Sequence, residues 1–175
     1  LGSSGRGLWF CDYDSYRVEV PGDSGIASIG DVTGDGINDL VACLGGLASV
    51  CVVPGDSLGQ CGEMFLLDTT GLPLRPFIGD FDKNNRDDLF VLSGYGSRIN
   101  LWLSNNEGRL AGARNYSSGL SESPWLEGAD LDGDGDVEVI TGSGADSTLS
   151  ILGGDATLLV EDFFDVGFPV SQLRA

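Results

Sequence analysis

The sequence predicts an all-β protein made of β-propeller-type repeats, with about three and a half four-stranded blades. Three observations support this fold class. An acidic segment recurs with its starts at Asp31, Asp80 and Asp130, which are 49 (80 − 31) and 50 (130 − 80) residues apart. Short apolar runs and glycine-rich turns follow each copy, as expected for short strands joined by tight turns. No stretch keeps the apolar spacing of an amphipathic helix.

Each repeat is predicted to run as strand, acidic loop, strand, turn, strand, turn and strand. The strand candidates after each acidic loop are short and mostly apolar. They are 40–44, 49–53 and 64–67 in the first repeat, 89–92, 98–103 and 113–116 in the second, and 139–141, 148–152 and 158–163 in the third. Four antiparallel strands in about 50 residues are the unit of a propeller blade.

The repeat spacing divides the chain into four parts. A partial N-terminal blade covers 1–27, with strand candidates at 8–11 and 16–20. Repeat 1 covers 28–76, repeat 2 covers 77–126, and repeat 3 covers 127–175 and ends at the first strand of a next blade.

An incomplete ring leaves unpaired strand edges, which attract other strands. We therefore expect self-association, either as two chains that close one ring or as head-to-tail strand exchange in a filament. Closure of the array on itself as a compact three- or four-bladed unit is the alternative.

The charge of the chain excludes several classes of function. The chain has 27 acidic and 9 basic residues, a formal net charge of −18, and no histidine. Such acidity disfavours binding to nucleic acid and to anionic lipid. The lack of histidine excludes Ser-His-Asp catalysis and His-ligated zinc. No apolar run approaches the roughly 18 residues of a membrane span, so no membrane insertion is expected.

Cysteine usage indicates the compartment. The sequence has four cysteines, and none forms a CxxC pair, which disfavours zinc or iron–sulfur ligation. We expect two disulfides, and thus an extracellular or cell-surface location, in preference to free buried thiols. Three connectivities are open among Cys11, Cys43, Cys51 and Cys61.

The acidic segments have the chemistry of calcium loops. Counted from the first aspartate, positions 1, 3, 5 and 9 always carry a side-chain oxygen, and position 7 is expected to contribute its backbone carbonyl, as in an EF-hand. Position 6 is Gly36, Asn85 or Gly135, residue types that tolerate a left-handed backbone. The predicted ligands are Asp31, Thr33, Asp35, Ile37 and Asp39 in loop 1, Asp80, Asp82, Asn84, Arg86 and Asp88 in loop 2, and Asp130, Asp132, Asp134, Asp136 and Glu138 in loop 3.

These oxygen ligands predict about three Ca²⁺ ions. Hard oxygens without nitrogen or sulfur partners favour Ca²⁺ over transition metals, and Mg²⁺ prefers fewer protein ligands. The loops hold 12 of the 27 acids, which repel one another without a cation. Loop 3, with four candidate carboxylates, is expected to bind most tightly.

With these loops and flanks, the chain resembles the FG-GAP/VCBS repeats of integrin α-subunit-type β-propellers, whose blades carry a D-x-D-x-D-G-x-x-D loop between two strands. The resemblance runs from Ser28 onward. It implies a propeller with calcium in each acidic loop. Members of the family are extracellular or cell-surface proteins of adhesion and of glycan or protein recognition, and some accompany enzymes as non-catalytic modules. Such propellers commonly have about seven blades.

The expected function is therefore a non-enzymatic, calcium-binding module for adhesion or structural self-assembly. The alternative is a lectin-like module in which Trp9, Trp102, Trp125 or one of the tyrosines stacks on sugars, although packing in the core or between blades is the commoner role of such rings. A glycosidase is disfavoured because nearly half of the acids belong to the loops. Asn115-Tyr116-Ser117 matches the N-glycosylation pattern.

Overall fold

The computed structural model describes residues 8–11, 16–19, 24–105, 107, 109–122, 125–135, 137–145, 147–153 and 160–167. Near the N-terminus, β1 (Leu8–Cys11) and β2 (Tyr16–Glu19) pair as an antiparallel two-stranded sheet. These two strands lie where the partial blade was predicted. No α-helix occurs in the described ranges, and none of their helical turns is long enough to cross a membrane.

Three four-stranded antiparallel sheets follow, and in each sheet the strands pair in chain order. Blade 1 contains β3 (Ser24–Gly30), β4 (Asp39–Leu44), β5 (Ser49–Val53) and β6 (Phe65–Asp68); blade 2 contains β7 (Pro73–Gly79), β8 (Asp88–Ser93), β9 (Arg98–Trp102) and β10 (Arg114–Ser117); blade 3 contains β11 (Trp125–Ala129), β12 (Glu138–Ser143), β13 (Thr148–Leu152) and β14 (Val160–Asp165). A short 3-10 turn at Gly94–Gly96 joins β8 to β9. The prediction of an all-β fold of four-stranded repeats is confirmed.

The hydrophobic core lies between successive blades. The middle strands β4, β5, β8 and β9 are buried along nearly their whole length, which explains why they read as continuous apolar runs rather than alternating ones. One cluster joins Val41 and Val52 of blade 1 to Leu89 of blade 2, and a second joins Phe90 of blade 2 to Leu152 of blade 3. The blades therefore stabilise one another through buried apolar area.

Trp102 belongs to the cluster between blades 1 and 2 and is only 3% exposed. Its ring is not available to a sugar. Trp125 is half-buried, and the Arg75 guanidinium lies 4.9 Å from its ring centroid. The side chain of Trp9 lies outside the described residues. Trp102 and Trp125 therefore both pack against other groups of the protein, which is the commoner role of aromatic rings.

The expectation of two disulfides is wrong. Cys43 and Cys51 are free thiols and fully buried. The register pairs Ala42 with Cys51 and Cys43 with Val50, so the two thiols point to opposite faces of the sheet and cannot bond to each other. Burial raises the pKa of Cys43 to about 12, which makes it an inert core residue.

Candidate metal centres

The three acidic loops lie at corresponding places in the blades, because each joins the first strand of its blade to the second. Loop 1 spans 31–39, loop 2 spans 80–88 and loop 3 spans 130–138. The first residues of the second strands, Asp39, Asp88 and Glu138, are also the ninth residues of the loops. The predicted metal-binding positions at the end of each loop are thus set on the ends of paired strands.

The backbone turns of the loops match the left-handed conformation predicted at position 6. There φ is +85° at Gly36, +62° at Asn85 and +93° at Gly135. Position 4 has the same conformation, with φ of +73° at Gly34, +57° at Lys83 and +81° at Gly133, and this second turn was not predicted from the sequence. The available signal was a second glycine in loops 1 and 3, which the lysine of loop 2 obscures.

The first aspartate of each loop accepts hydrogen bonds from the turning backbone. The backbone N–H groups of Gly34 and Gly36 donate to the Asp31 carboxylate at 2.7 Å each, and that of Asp35 donates at 3.1 Å. Asp80 accepts from Asn84 and Asn85, and Asp130 accepts from Gly133 and Gly135. This carboxylate therefore holds the loop closed.

The ninth residue is buried in all three loops and fastens the start of its own loop. Thr33 N donates to Asp39 at 2.8 Å, Phe81 N donates to Asp88 at 2.8 Å, and Leu131 N donates to Glu138 at 2.7 Å. Asp39 and Asp88 also accept from the turn that follows the third strand, through Gly55 N at 3.0 Å and Ser104 N at 2.7 Å. In blades 1 and 2 the ninth carboxylate thus connects three segments of the blade.

Loops 2 and 3 each bring three carboxylates together. In each triad one oxygen of every carboxylate lies within 4.8 Å of the others, a spacing that a single cation can bridge. These triads are Asp80, Asp82 and Asp88 in loop 2 and Asp130, Asp132 and Glu138 in loop 3. Positions 1, 3 and 9 of both loops therefore converge, as the sequence pattern predicts.

Loop 1 forms no such triad among the described residues, because position 3 is Thr33 rather than an acid. Position 3 still offers an oxygen there, because the buried Thr33 Oγ1 lies beside the Asp39 carboxylate, whose pKa the Thr33 side chain lowers. Asn84 Oδ1, at position 5 of loop 2, is buried and has no hydrogen-bond partner among the described residues. An unsatisfied buried oxygen is costly unless a cation or a water binds it, so loop 2 fits an oxygen-coordinated metal.

The remaining predicted ligands are placed differently. Asp134 of loop 3 is outside the triad, and its carboxylate lies 3.6 Å from Lys83 Nζ of loop 2. Asp35 accepts from Ile37 N at 2.9 Å. The side chain of Arg86 turns away from its own loop and donates to the Gly34 carbonyl at 3.4 Å. Asp136 lies outside the described residues.

Burial changes the acidity of two ninth-position carboxyls. It raises the pKa of Asp88 to about 6, helped by the charges of Asp82 and Asp80 and opposed by the two N–H donors. It also raises the pKa of Asp39. Both shifts arise mainly because burial removes the carboxyls from water, a cost that a divalent cation would offset.

The loops of neighbouring blades contact one another, and two of the residues involved, Lys83 and Asp87, are not among the predicted ligands. Asp31 N donates to Asp87 of loop 2 at 3.1 Å, and Lys83 Nζ donates to the Asp134 carbonyl of loop 3 at 3.4 Å. Loop 2 therefore links loops 1 and 3. Which acidic or basic residue reaches a neighbour depends on the packing of blades, which no local motif encodes.

The glycosylation candidate Asn115 is exposed on β10, the outer strand of blade 2. Its Oδ1 accepts from Asn100 Nδ2 at 2.6 Å. This hydrogen bond involves only the carbonyl oxygen of the Asn115 amide. The amide nitrogen of Asn115, which carries the sugar in N-glycosylation, takes no part in the bond.

Comparison with known proteins supports the repeat and the fold. Residues 80–141 match the family model of the FG-GAP-like repeat, which confirms the resemblance. The fold is similar to two structures of BBS1N in complex with ARL6DN. The first was soaked with mercury; its TM-score is 0.58 at 16% sequence identity, and the match covers 82% of this chain and 44% of the BBS1N chain. The second was soaked with lead; its TM-score is 0.58 at 15% sequence identity, and the match covers 83% of this chain and 46% of the BBS1N chain. The propeller-type fold class is thus confirmed, and the chain spans less than half the length of those chains. No curated protein sequence matches.

Proposed function

We propose that this chain, whose residues 80–141 carry an FG-GAP-like repeat, is a non-enzymatic, calcium-stabilised propeller module of an extracellular or cell-surface protein, with a role in adhesion or structural self-assembly. The main support is the pair of carboxylate triads in loops 2 and 3. In both, two acids from the loop meet a buried acid at the start of the next strand. A cation there would tie the loop to the sheet.

Calcium suits these sites better than other metals. The available donors are carboxylate, amide, hydroxyl and backbone carbonyl oxygens, which are the ligands of a hard cation with six to eight contacts. Asp80, Asp82, Asn84 and Asp88 would hold the ion in loop 2, with the Arg86 carbonyl, and Asp130, Asp132 and Glu138 would hold the ion in loop 3. Asp31, Thr33, Asp35 and Asp39 would form the loop 1 site, with the Ile37 carbonyl.

The role proposed for calcium is structural. Each ion adds two positive charges where acids are concentrated, so three ions would change the net charge from −18 to −12 (−18 + 3 × 2). It would also pin the turn between two strands while the ninth carboxylate keeps its backbone bonds. The chain's own residues supply the fold, and the ion would supply the compensating charge.

Calcium titration of the intact chain tests this proposal. Isothermal titration calorimetry after treatment with chelator should detect about three sites, and a double variant, Asp80→Asn with Asp130→Asn, should retain only the loop 1 site. A matched control is Glu63→Gln, an exposed acid outside the loops. Binding that is absent in the parent chain, or that is unchanged in the double variant, would overturn the assignment.

An oxidising compartment is supported by the cysteine count. Because Cys43 and Cys51 are free, Cys11 and Cys61 are the remaining pair of the four. We propose one disulfide between them, which would staple the N-terminal hairpin to blade 1. Alkylation after denaturation should label two cysteines without reductant and four with it. Labelling of four without reductant would contradict both the bond and the expected compartment.

A protein ligand is favoured over a glycan. The structural neighbour BBS1N is described in complex with another protein, ARL6DN. Trp102, one of the aromatic candidates of the lectin-like alternative, is buried. A glycan array probed with calcium-loaded chain separates the two, and specific binding to a sugar would reverse this preference.

A further inference from the structure

Loops 1 and 2 line one polar cleft at the seam between blades 1 and 2. The cleft has a volume of about 540 Å³, and Asp31, Arg86 and Asp87 are among its lining residues. Two hydrogen bonds join the loops there. Asp31 N donates to Asp87 Oδ2 at 3.1 Å, and Arg86 Nη1 donates to the Gly34 carbonyl at 3.4 Å. We call the side chains of Arg86 and Asp87, with these two bonds, the latch.

The strands that lead into the two loops pack closely enough to bring the latch into reach. A Cβ on Gly30, the last residue before loop 1, would lie 2.6 Å from Ile78 Cγ2 and 3.2 Å from Asp87 Oδ2. In the same strand, Ser28 Oγ donates to the Pro76 carbonyl of β7 at 3.0 Å. Because Gly30 has no side chain, β7 approaches β3 and the Asp87 carboxylate reaches the backbone of loop 1.

Both ends of the latch are attached to predicted calcium ligands. In loop 2, Asp87 lies between Arg86, whose carbonyl is the ligand predicted at position 7, and Asp88, the buried ninth ligand. In loop 1, the latch holds the backbone of Asp31, whose carboxylate is the first ligand and itself accepts from Gly34 N at 2.7 Å. A cation held by loop 2 would fix the backbone that carries the latch, and the latch would then fix the start of loop 1.

We propose that Arg86 and Asp87 are positioning residues that couple the two sites, so that calcium in loop 2 raises the affinity of loop 1 for calcium. The effect is reciprocal, because a coupling free energy belongs to both sites equally. This inference rests on the calcium sites of the proposed function. It also gives a role to the positive charge at position 7 of loop 2, since the guanidinium of Arg86 leaves its own loop and binds the neighbouring one.

Loop 3 provides an internal reference. Its printed contact with loop 2 is the pair of Lys83 and Asp134, whose side chains are 48% and 50% exposed, and exposed pairs contribute little. Arg86 and Asp87 are half-buried, and no hydrogen bond joins Asp87 to loop 3 in the ranges that the structure describes. The affinity of loop 3 is therefore independent of the latch.

Calcium titration of the full chain, followed by NMR with ¹⁵N-labelled glycine, measures the loops separately. Gly34 and Gly36 report on loop 1, Gly133 and Gly135 report on loop 3, and loop 2 contains no glycine. Asp80→Asn removes the first ligand of loop 2. Its effect on the affinity of loop 1 therefore measures the coupling between the two sites.

The comparison uses a latch-free chain that carries Arg86→Met and Asp87→Ala. These two changes remove one charge of each sign, so the net charge stays the same. Asp80→Asn should weaken calcium binding at loop 1 about fivefold more in the parent chain than in the latch-free chain. Direct electrostatic effects of Asp80 and of its ion act in both backgrounds, so they cancel in this ratio.

The matched control carries Arg86→Gln and Asp87→Asn. It removes the same two charges but keeps an N–H donor at position 86 and a carbonyl oxygen that can accept from Asp31 N. The control should retain the coupling. Equal effects of Asp80→Asn in the parent and latch-free chains would overturn the inference, and so would loss of the coupling in the control, which would assign it to charge. An unchanged affinity at loop 3 shows that each variant is folded.

A measurement without calcium tests the latch by itself. In chelator, amide exchange with water at Gly34 and Gly36 should be about fivefold faster in the latch-free chain, because the Asp31 carboxylate that holds these amides loses its own support. Exchange at Gly133 and Gly135 should not change. Equal exchange in loop 1 of both chains would overturn the latch.

The two experiments distinguish failure of this inference from failure of the proposed function. A parent chain that binds no calcium refutes the calcium sites, and the coupling with them. A parent chain that binds calcium in loop 1, with the same effect of Asp80→Asn whether or not the latch is present, refutes the coupling alone.

Discussion

Replacing Asp82 by asparagine separates charge repulsion in loop 2 from the capacity of the loop to bind a cation. Asp82 is exposed, shares the triad with Asp80 and Asp88, and accepts no hydrogen bond in the part of the chain that the structure describes. Its removal therefore breaks no bond of the metal-free protein. Two unit charges about 5 Å apart repel by about 1 kcal/mol at the dielectric constant of bulk water, which applies because Asp82 is exposed. Without calcium the variant should be as stable as the parent or more stable by about this amount.

With calcium the sign should reverse. A ligand present at about 100 times its dissociation constant stabilises the folded state by about 2.7 kcal/mol per site. For a chain of this size, 1 kcal/mol corresponds to roughly 2–4 °C in Tm, so one site is worth about 5–11 °C. Loss of one of three clustered carboxylates should remove much of this contribution, and the variant should then melt below the parent.

The assay is thermal unfolding followed by circular dichroism, in chelator and in saturating calcium, for the parent, Asp82→Asn and the control Glu63→Gln. The control changes an exposed acid outside the loops and should leave the calcium response intact. Two results would refute the reasoning: a variant that is destabilised in chelator, or one with the full calcium response of the parent.

Three further outcomes are expected. In the metal-free protein the pKa of Asp88 is raised from 3.8 to about 6, so the folded state binds this proton more tightly than the unfolded state does. The free energy of unfolding should therefore fall by up to about 3 kcal/mol as the pH rises from about 4 to above 6. Urea titrations in chelator measure this change, and a rise over the same pH range would contradict it. Gly128→Ala should destabilise the chain by about 1–3 kcal/mol, because the new Cβ would lie 2.5 Å from Phe77 Cζ in the seam between blades 2 and 3, and an unchanged denaturation midpoint would show that the seam yields. In the native state Cys43 and Cys51 should resist alkylation, and fast labelling of either would contradict their burial.

The strands and the loop turns could be predicted because their signals are local. The apolar runs before and after residue 45 became β4 and β5 within a residue of their expected ends, and Gly36, Asn85 and Gly135 all turned out left-handed. The disulfides could not be predicted in this way. Whether Cys43 can meet Cys51 depends on strand register, and a shift of one residue reverses the face that a side chain occupies.

The sequence by itself determined the repeat period, the oxygen-rich positions and the left-handed turns, because each of these depends on residues a few positions apart in one loop. Only the tertiary structure decided which carboxylates converge, that Asp134 faces Lys83 instead of its own triad, and that Asp31 N meets Asp87 of the next loop. These outcomes depend on how one blade packs against the next. Residues that meet across a seam are about 50 positions apart, so the geometry of packing, rather than any local pattern, brings them together.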